Sequence, residues 1–284
     1  MDALQRAAAS LAKSPAVLIG GGAGLSAAAG IDYSGAGFRR AFADYIARYG
    51  FSDLYSSGFY PFPTEEERWA YWARHVEYAA LGPPAMPLYR ALLALVEDKE
   101  YFVITTNVDA QFEKAGFPQE RLFAVQGDYR EMQCARACHQ KVYSNVEAVQ
   151  KILAATHDLT IPPDLVPRCP VCGGKMEMHL RVDQYFIEDE SWHKAARRYE
   201  DFLRAYARGE LVLLEMGVGF NTPTIIRYPF EEITLANPHA LLVRMNSEAV
   251  APRLPIHSRT VNIEAHMPWV VEQLLKEKKN AGKA

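Results

Sequence analysis

A chain of 284 residues with 49% hydrophobic, 11% aromatic and 23% charged residues carries enough apolar side chain to close a sizeable core, which excludes disorder as its main state. Its 31 basic and 34 acidic residues leave a net charge of −3 with no strongly basic half, so nucleic acid is not an expected partner. No apolar run approaches the ~20 residues that cross a bilayer, and the start Met1-Asp2-Ala3-Leu4-Gln5-Arg6 lacks the basic-then-apolar order of a signal peptide; a cytoplasmic protein without a membrane partner is expected.

Ala3 to Lys13 is rich in alanine and favours a helix that Pro15 ends. Ala16-Val17-Leu18-Ile19 then starts a short, continuously apolar run, the mark of a buried parallel strand. Gly20 to Gly24 follows, and Leu25 to Ala29 reads as the first turn of a helix. Gly22-Ala23-Gly24-Leu25-Ser26-Ala27 thus matches G-x-G-x-x-G/A in the strand-turn-helix setting that cradles a pyrophosphate; a glycine turn that merely joins two elements gives the same pattern. A dehydrogenase would also place an acidic residue ~20 positions on, at a strand end. Asp44 has that spacing but lies in a stretch that reads as helix, which disfavours a plain dehydrogenase. Residues 38–80 are dense in aromatics, among them Phe42, Tyr45, Trp69, Tyr71 and Trp72, and predict helices packed beside the sheet, or a mobile lid.

Leu88 to Val96 reads as a short helix and Tyr101 to Thr105 as a second buried strand. That strand ends in the polar cluster Thr106-Asn107-Val108-Asp109, where open α/β sheets place their ligands. From Glu131 to Lys175 the apolar alternation weakens, and both cysteine pairs appear there, Cys134 with Cys138 and Cys169 with Cys172. Such pairs in a reducing compartment point to metal, and four thiolates close a tetrahedral Zn²⁺ with no open position, so a structural zinc is expected. Four unrelated buried cysteines are the rival reading, and His139 reads as a bystander. A helix around Ala195 to Ala207, strands at Leu211 to Met216 and Ala240 to Met245, and a closing helix at Trp269 to Lys278 complete the chain. The fold class is α/β: a Rossmann-like, doubly wound parallel sheet over 1–130 and 176–284, with a small zinc-ribbon module inserted at 131–175.

Taken in order, Gly22-Ala23-Gly24-Leu25-Ser26, Thr105-Thr106-Asn107-Val108-Asp109, Val125-Gln126-Gly127-Asp128, the cysteine pairs, Gly217-Val218-Gly219-Phe220 and Val243-Arg244-Met245-Asn246 resemble the sirtuins. The resemblance spans residues 16–275 and implies NAD as co-substrate beside the structural zinc. It implies that Gly22, Ala23, Gly24 and Ser26, with Asp32 and Tyr33, surround the phosphates and ribose. By the same route Asn107 sits at the nicotinamide ribose, Asp109 holds the carboxamide, and Gly217, Val218, Gly219, Asn221 and Asn246 contact the phosphates and adenosine.

Two departures from the sirtuin deacylases bear on activity. Where those enzymes have Pro-Asp-Phe-Arg after Gly-Ile, this chain reads Gly30-Ile31-Asp32-Tyr33-Ser34-Gly35, and Gln126 stands in place of their catalytic His. Deacylation needs a base to deprotonate a ribose hydroxyl, and a carboxamide is not one. Departure of nicotinamide and capture of the resulting cation ask only for positioning and charge stabilisation, which leaves ADP-ribosyl transfer. The same stretches, with 221–230, are most similar to the class M, macrodomain-linked microbial sirtuins. That likeness implies mono-ADP-ribosylation of a lipoylated, glycine-cleavage-H-like carrier protein, with a macrodomain hydrolase as counterpart. It makes Asn107, Gln126 and Arg181 the catalytic expectations, with Asp128 partly replacing the missing base. An NAD-dependent protein-lysine deacylase and a non-catalytic NAD-binding interaction protein are the alternatives. His75, His179, His193 and His257 carry no metal or dyad spacing and read as structural.

Overall fold

The computed structural model describes residues 2–247 and 253–281. Nine strands follow one another along the chain: β1 (Ala16–Gly21), β2 (Glu100–Thr105), β3 (Leu122–Ala124), β4 (Gly127–Cys134), β5 (Val142–Ser144), β6 (Met176–Leu180), β7 (Leu211–Met216), β8 (Ala240–Met245) and β9 (Thr260–Ile263). Six of them form one parallel sheet in the order β3-β2-β1-β7-β8-β9. Chain direction across the sheet reverses between β1 and β7, and a crevice opens at such a switch point beyond the strands' carboxyl ends.

The continuously apolar reading of β1 has its cause in two covered faces. Val17 and Ile19 pack with Ala7, Leu25, Leu92 and Val270 from the helices Ala3–Lys13, Ala23–Ala29, Pro87–Val96 and Met267–Ala281. Ala16 and Leu18 face the opposite way, toward Ile226, Phe230 and Phe202 beside the helices Glu190–Ala205 and Arg227–Ala236. A period of two along the strand thus divides the residues between two cores. The Glu190–Ala205 helix starts earlier than the sequence pattern indicated, because Asp189 caps it by accepting from Trp192 N–H at 2.9 Å.

A second lobe is built on the antiparallel sheet β5-β4-β6. Here the expectation for residues 38–80 is corrected in one respect: their buried aromatics pack into this second lobe and not beside the main sheet, while Tyr55, Phe59 and Tyr60 reach the cavity between the two lobes. Phe38, Phe42, Tyr45, Trp69 and Tyr71 share a core with Val149 and Ile152 of the helix Val146–Ala155, with Met176 and Met178 of β6, and with Cys134 and Cys169. A three-stranded sheet is too small to bury its own apolar face, and the helical segment supplies the missing area. Asp44 sits in the helix Ala43–Tyr49 and pairs with Arg74 at 2.6 Å, far from any strand end. No described helix is long and apolar enough to cross a membrane.

Candidate active site

A cavity of about 430 Å³ lies between the two lobes, at the switch point of the main sheet. Gly22, Ala23, Asn107, Asp109, Val218 and Gly219 line it from the main sheet, and Trp72, His75, Tyr129 and Met178 line it from the small lobe. Tyr33, Gln126, Arg181 and Asn221, all singled out in the sequence, also reach it.

The glycines lock two loops together. Gly24 N–H donates to the Gly217 carbonyl at 2.9 Å, Gly22 N–H to Met216 at 3.0 Å and Gly217 N–H to Met245 at 2.9 Å. Gly217 has φ +61°, and a Cβ there would strike the backbone nitrogen of Leu25; one on Gly22 would stand 2.6 Å from the Gly217 carbonyl. Gly217→Ala is therefore expected to destabilise the protein by about 3 kcal/mol, strain and clash together, as read by denaturant unfolding. An unchanged midpoint would remove the interlock argument.

Three of the residues expected at the cofactor lie behind the residues that line the cavity. Gly24 N–H is spent on the Gly217 carbonyl and Gly217 N–H on Met245, and neither glycine lines the cavity. Ser26, fully buried, also lies below, and donates its hydroxyl proton to Asp109. Asp109 is buried as well and accepts from Gln111 N–H at 3.0 Å. Burial pushes its carboxyl upward, and the Ser26 and Gln111 hydrogen bonds oppose that. Asn107 hangs from the end of β2: its N–H donates to Thr105 Oγ1 at 3.0 Å, and its Nδ2 donates to the Gly22 carbonyl at 3.0 Å and to Tyr89 Oη at 3.2 Å. Asp32 does not line the cavity; it shapes the neighbouring loop by accepting from Gly37 N–H at 2.7 Å and from Gly35 and Ser34. Asn246 likewise stands behind the wall, donating from Nδ2 to the Val218 carbonyl at 3.1 Å.

Gln126 stands at the junction of the lobes. Its carbonyl accepts from Arg181 N–H at 3.0 Å; the residue lines the cavity, and its carboxamide makes no hydrogen bond to any described residue. Gly127, next in the chain, has φ +94°, and a Cβ there would collide with the His179 carbonyl, so only glycine brings β4 so close to β6. Arg181 is held by Glu188 at 2.5 Å and stacks over Phe186 at 4.3 Å. Asp128 does not join Gln126 and Arg181 at the cavity. It lies outside the cavity, with Arg130 Nε at 2.9 Å and Nη2 at 2.5 Å, and its carboxylate is committed to that fork.

His75 was passed over in the sequence because nothing in its spacing marks it. Among the described residues it is the single imidazole lining the cavity. Its Nδ1 is bonded to Tyr71 Oη at 3.0 Å, and burial pushes its pKa down to about 3.

The four cysteines converge as expected. Their sulfurs lie within 4.8 Å of one another, with Cys134 to Cys172 at 3.8 Å and Cys138 to Cys169 at 3.7 Å. Four sulfurs at ~2.3 Å from a tetrahedral Zn²⁺ stand about 3.8 Å apart, so the donor set fits a closed structural zinc. His139 is an outer neighbour, with Nδ1 3.1 Å from Cys138 Sγ and Nε2 bonded to Tyr143 Oη at 2.8 Å.

No protein-family model matches the chain. A protein ADP-ribosyltransferase of Staphylococcus aureus (strain Mu50 / ATCC 700699) is 34% identical over 262 residues, which cover 92% of this chain and 83% of that one. A probable bifunctional ADP-ribose hydrolase/ADP-ribosyltransferase of Fusarium oxysporum f. sp. cubense is 33% identical over 256 residues, 85% of this chain and 42% of that one, so this chain spans under half of its length. Among solved structures, one described under the mechanism and regulation of Sir2 enzymes superposes over 98% of both chains with a TM-score of 0.59 at 19% identity. A Sir2 homolog–NAD complex gives a TM-score of 0.58 at 16% identity over 98% of this chain and 94% of that one.

Proposed function

The chain belongs to the protein ADP-ribosyltransferases built on the sirtuin fold, and from that premise we propose that Asn107, Gln126 and Arg181 carry an NAD-dependent transfer of ADP-ribose to a protein acceptor. In that reaction the glycosidic bond breaks, nicotinamide leaves with the bonding electrons, a nucleophile of the acceptor forms the new bond to the anomeric carbon, and the nucleophile's proton is released to solvent. Ala23, Val218 and Gly219 would flank the phosphates and ribose, Asp109 would hold the carboxamide from below, and Asn107 would face the anomeric centre. Arg181, with its stacked guanidinium, would meet an anionic acceptor or a cofactor phosphate.

One observation carries the choice of transfer over deacylation: an amide, Gln126, lines the cavity where the sirtuin deacylases have their catalytic His. Asp128 is committed to Arg130 outside the cavity and burial pushes the His75 pKa down to about 3, while of the two lining carboxylates Asp109 accepts from Ser26 and Gln111, and Glu177 pairs with Arg68 at 2.6 Å. We further propose that the acceptor is a lipoylated, glycine-cleavage-H-like carrier protein, that a macrodomain hydrolase reverses the modification, and that the setting is cytoplasmic. The class M resemblance of the motifs supports the acceptor, and the hydrolase named together with a transferase in the Fusarium relative supports the second point. Incubation with NAD and the lipoylated carrier should add one ADP-ribose mass to the carrier and release one nicotinamide. Turnover of an acyl-lysine peptide without any carrier adduct would establish the deacylase instead, and NAD binding without nicotinamide release would establish a binding protein.

A further inference from the structure

Beneath Asn107 lies a hydrogen-bonded chain whose direction chemistry fixes. Ser26 has one hydroxyl proton, and it goes to the Asp109 carboxylate, so across the 2.8 Å contact between Ser26 Oγ and Tyr89 Oη the tyrosine donates. With its own proton spent, Tyr89 can only accept from Asn107 Nδ2 at 3.2 Å. The other Nδ2 proton goes to the Gly22 carbonyl at 3.0 Å, a group that can only accept. Both amide protons of Asn107 are therefore committed, and the free atom of the side chain is Oδ1. The four groups run Asn107 to Tyr89 to Ser26 to Asp109, each donating to the next and ending on a buried carboxylate. All four are buried, and Tyr89 is held by an edge-on contact with Phe112 at 4.9 Å. Burial raises the Tyr89 phenol well above its ordinary pKa, which keeps the bridging proton in place.

We propose that Tyr89 is a positioning residue for Asn107: its hydroxyl orients the amide so that Oδ1, an acceptor, is the group offered to the ribose. The proposal rests on the transferase reading for its catalytic consequence, but not for the orientation itself. A second amide rotamer would present Nδ2 to the cavity, and two N–H donors beside an anomeric carbon that becomes positive would oppose the reaction. Gly22 alone restrains one of the two protons, whereas Gly22 and Tyr89 together fix the plane.

Tyr89→Phe keeps the ring against Phe112 and deletes only the bridge. Hydrogen exchange of the Asn107 side-chain amide, followed by NMR in the full-length protein, should quicken about tenfold, the value of one hydrogen bond. Nicotinamide release should fall in kcat by a similar factor with NAD affinity nearly unchanged, and in an Asn107→Ala background the same substitution should cost nothing more. Unchanged amide exchange would overturn the proposal. So would faster exchange with wild-type kcat, or an equal loss of rate in the Asn107→Ala background, which would mean that Tyr89 acts elsewhere. A wild-type protein that releases no nicotinamide with any acceptor would sink the transferase reading, while the exchange measurement would still decide the orientation of Asn107.

Discussion

Removal of the metal from the four-cysteine cluster, or Cys169→Ser, is expected to unfold the small lobe and abolish transfer. Cys134 and Cys169 are buried inside the same core as Tyr45, Trp69, Val149 and Met178, so the metal site is part of that core rather than an appendage. A structural zinc contributes about 10 kcal/mol or more of binding energy that is also folding energy, comparable to the whole stability of an ordinary domain. Without the metal, four thiols packed within 4.8 Å have no partner that replaces those bonds. Serine at 169 loses the soft ligand and leaves a buried hydroxyl. The main sheet keeps its own two cores, so unfolding should become a two-stage process instead of one transition. Trp72, Tyr129 and Met178 would leave the cavity wall with the small lobe, which is why activity should go as well. Metal content, near-UV circular dichroism and denaturant curves measure all three effects; a metal-free protein with a single transition at the original midpoint and intact transfer would refute the argument.

How legible this molecule is in its sequence depends on how local each signal is. β1, β2, β7 and β8 show as apolar runs because both of their faces are covered, and no turn or insertion breaks them. β3 and β9 are three and four residues long at the sheet edges, too short for any pattern to build up. The helix Val146–Ala155 lies in the stretch where alternation fades, since its buried stripe is reduced to Val149 and Ile152. The aromatic segment 38–80 announced burial, but not against what: its partner β6 lies about a hundred residues further on, and only the fold brings Trp69 to Met176. At the site, Asn107 and Asp109 were visible as a polar cluster at the end of a buried strand, the cysteines by their paired spacing, and Gln126 only through the resemblance of its stretch to the sirtuins. Tyr89 and His75 were not, since each matters through a neighbour distant in sequence, Ser26 for one and the cavity for the other. Asp128 stands two residues from Gln126, the same-face spacing of a regular strand, but Gly127 between them has φ +94° and breaks that alternation, and Arg130 takes the Asp128 carboxylate.

Asn107→Ala should lower the rate of nicotinamide release about 100-fold or more, with the fold and NAD affinity largely kept, because the lost group acts chiefly on developing charge. The more searching variant is Asn107→Asp. A carboxylate retains an oxygen in the place of Oδ1 and adds negative charge, which by simple electrostatics should favour a cationic transition state. It also removes both N–H donors, and the oxygen that replaces Nδ2 would face the Gly22 carbonyl, which now needs a proton, while Tyr89 Oη could donate to it only by giving up Ser26. Like dipoles opposed at about 3 Å in a buried site cost more than the added charge returns. The side chain must rotate away or take up a proton. Asn107→Asp is therefore expected to be no better than the alanine variant near neutral pH, and to regain part of its rate as the pH falls, when the protonated acid can donate again to Gly22 or Tyr89. Single-turnover nicotinamide release across a pH series, with NAD binding measured in parallel, tests both halves. An Asn107→Asp enzyme near the wild-type rate at neutral pH would show that the donors beneath the site are dispensable and that Asn107 serves only as an oxygen.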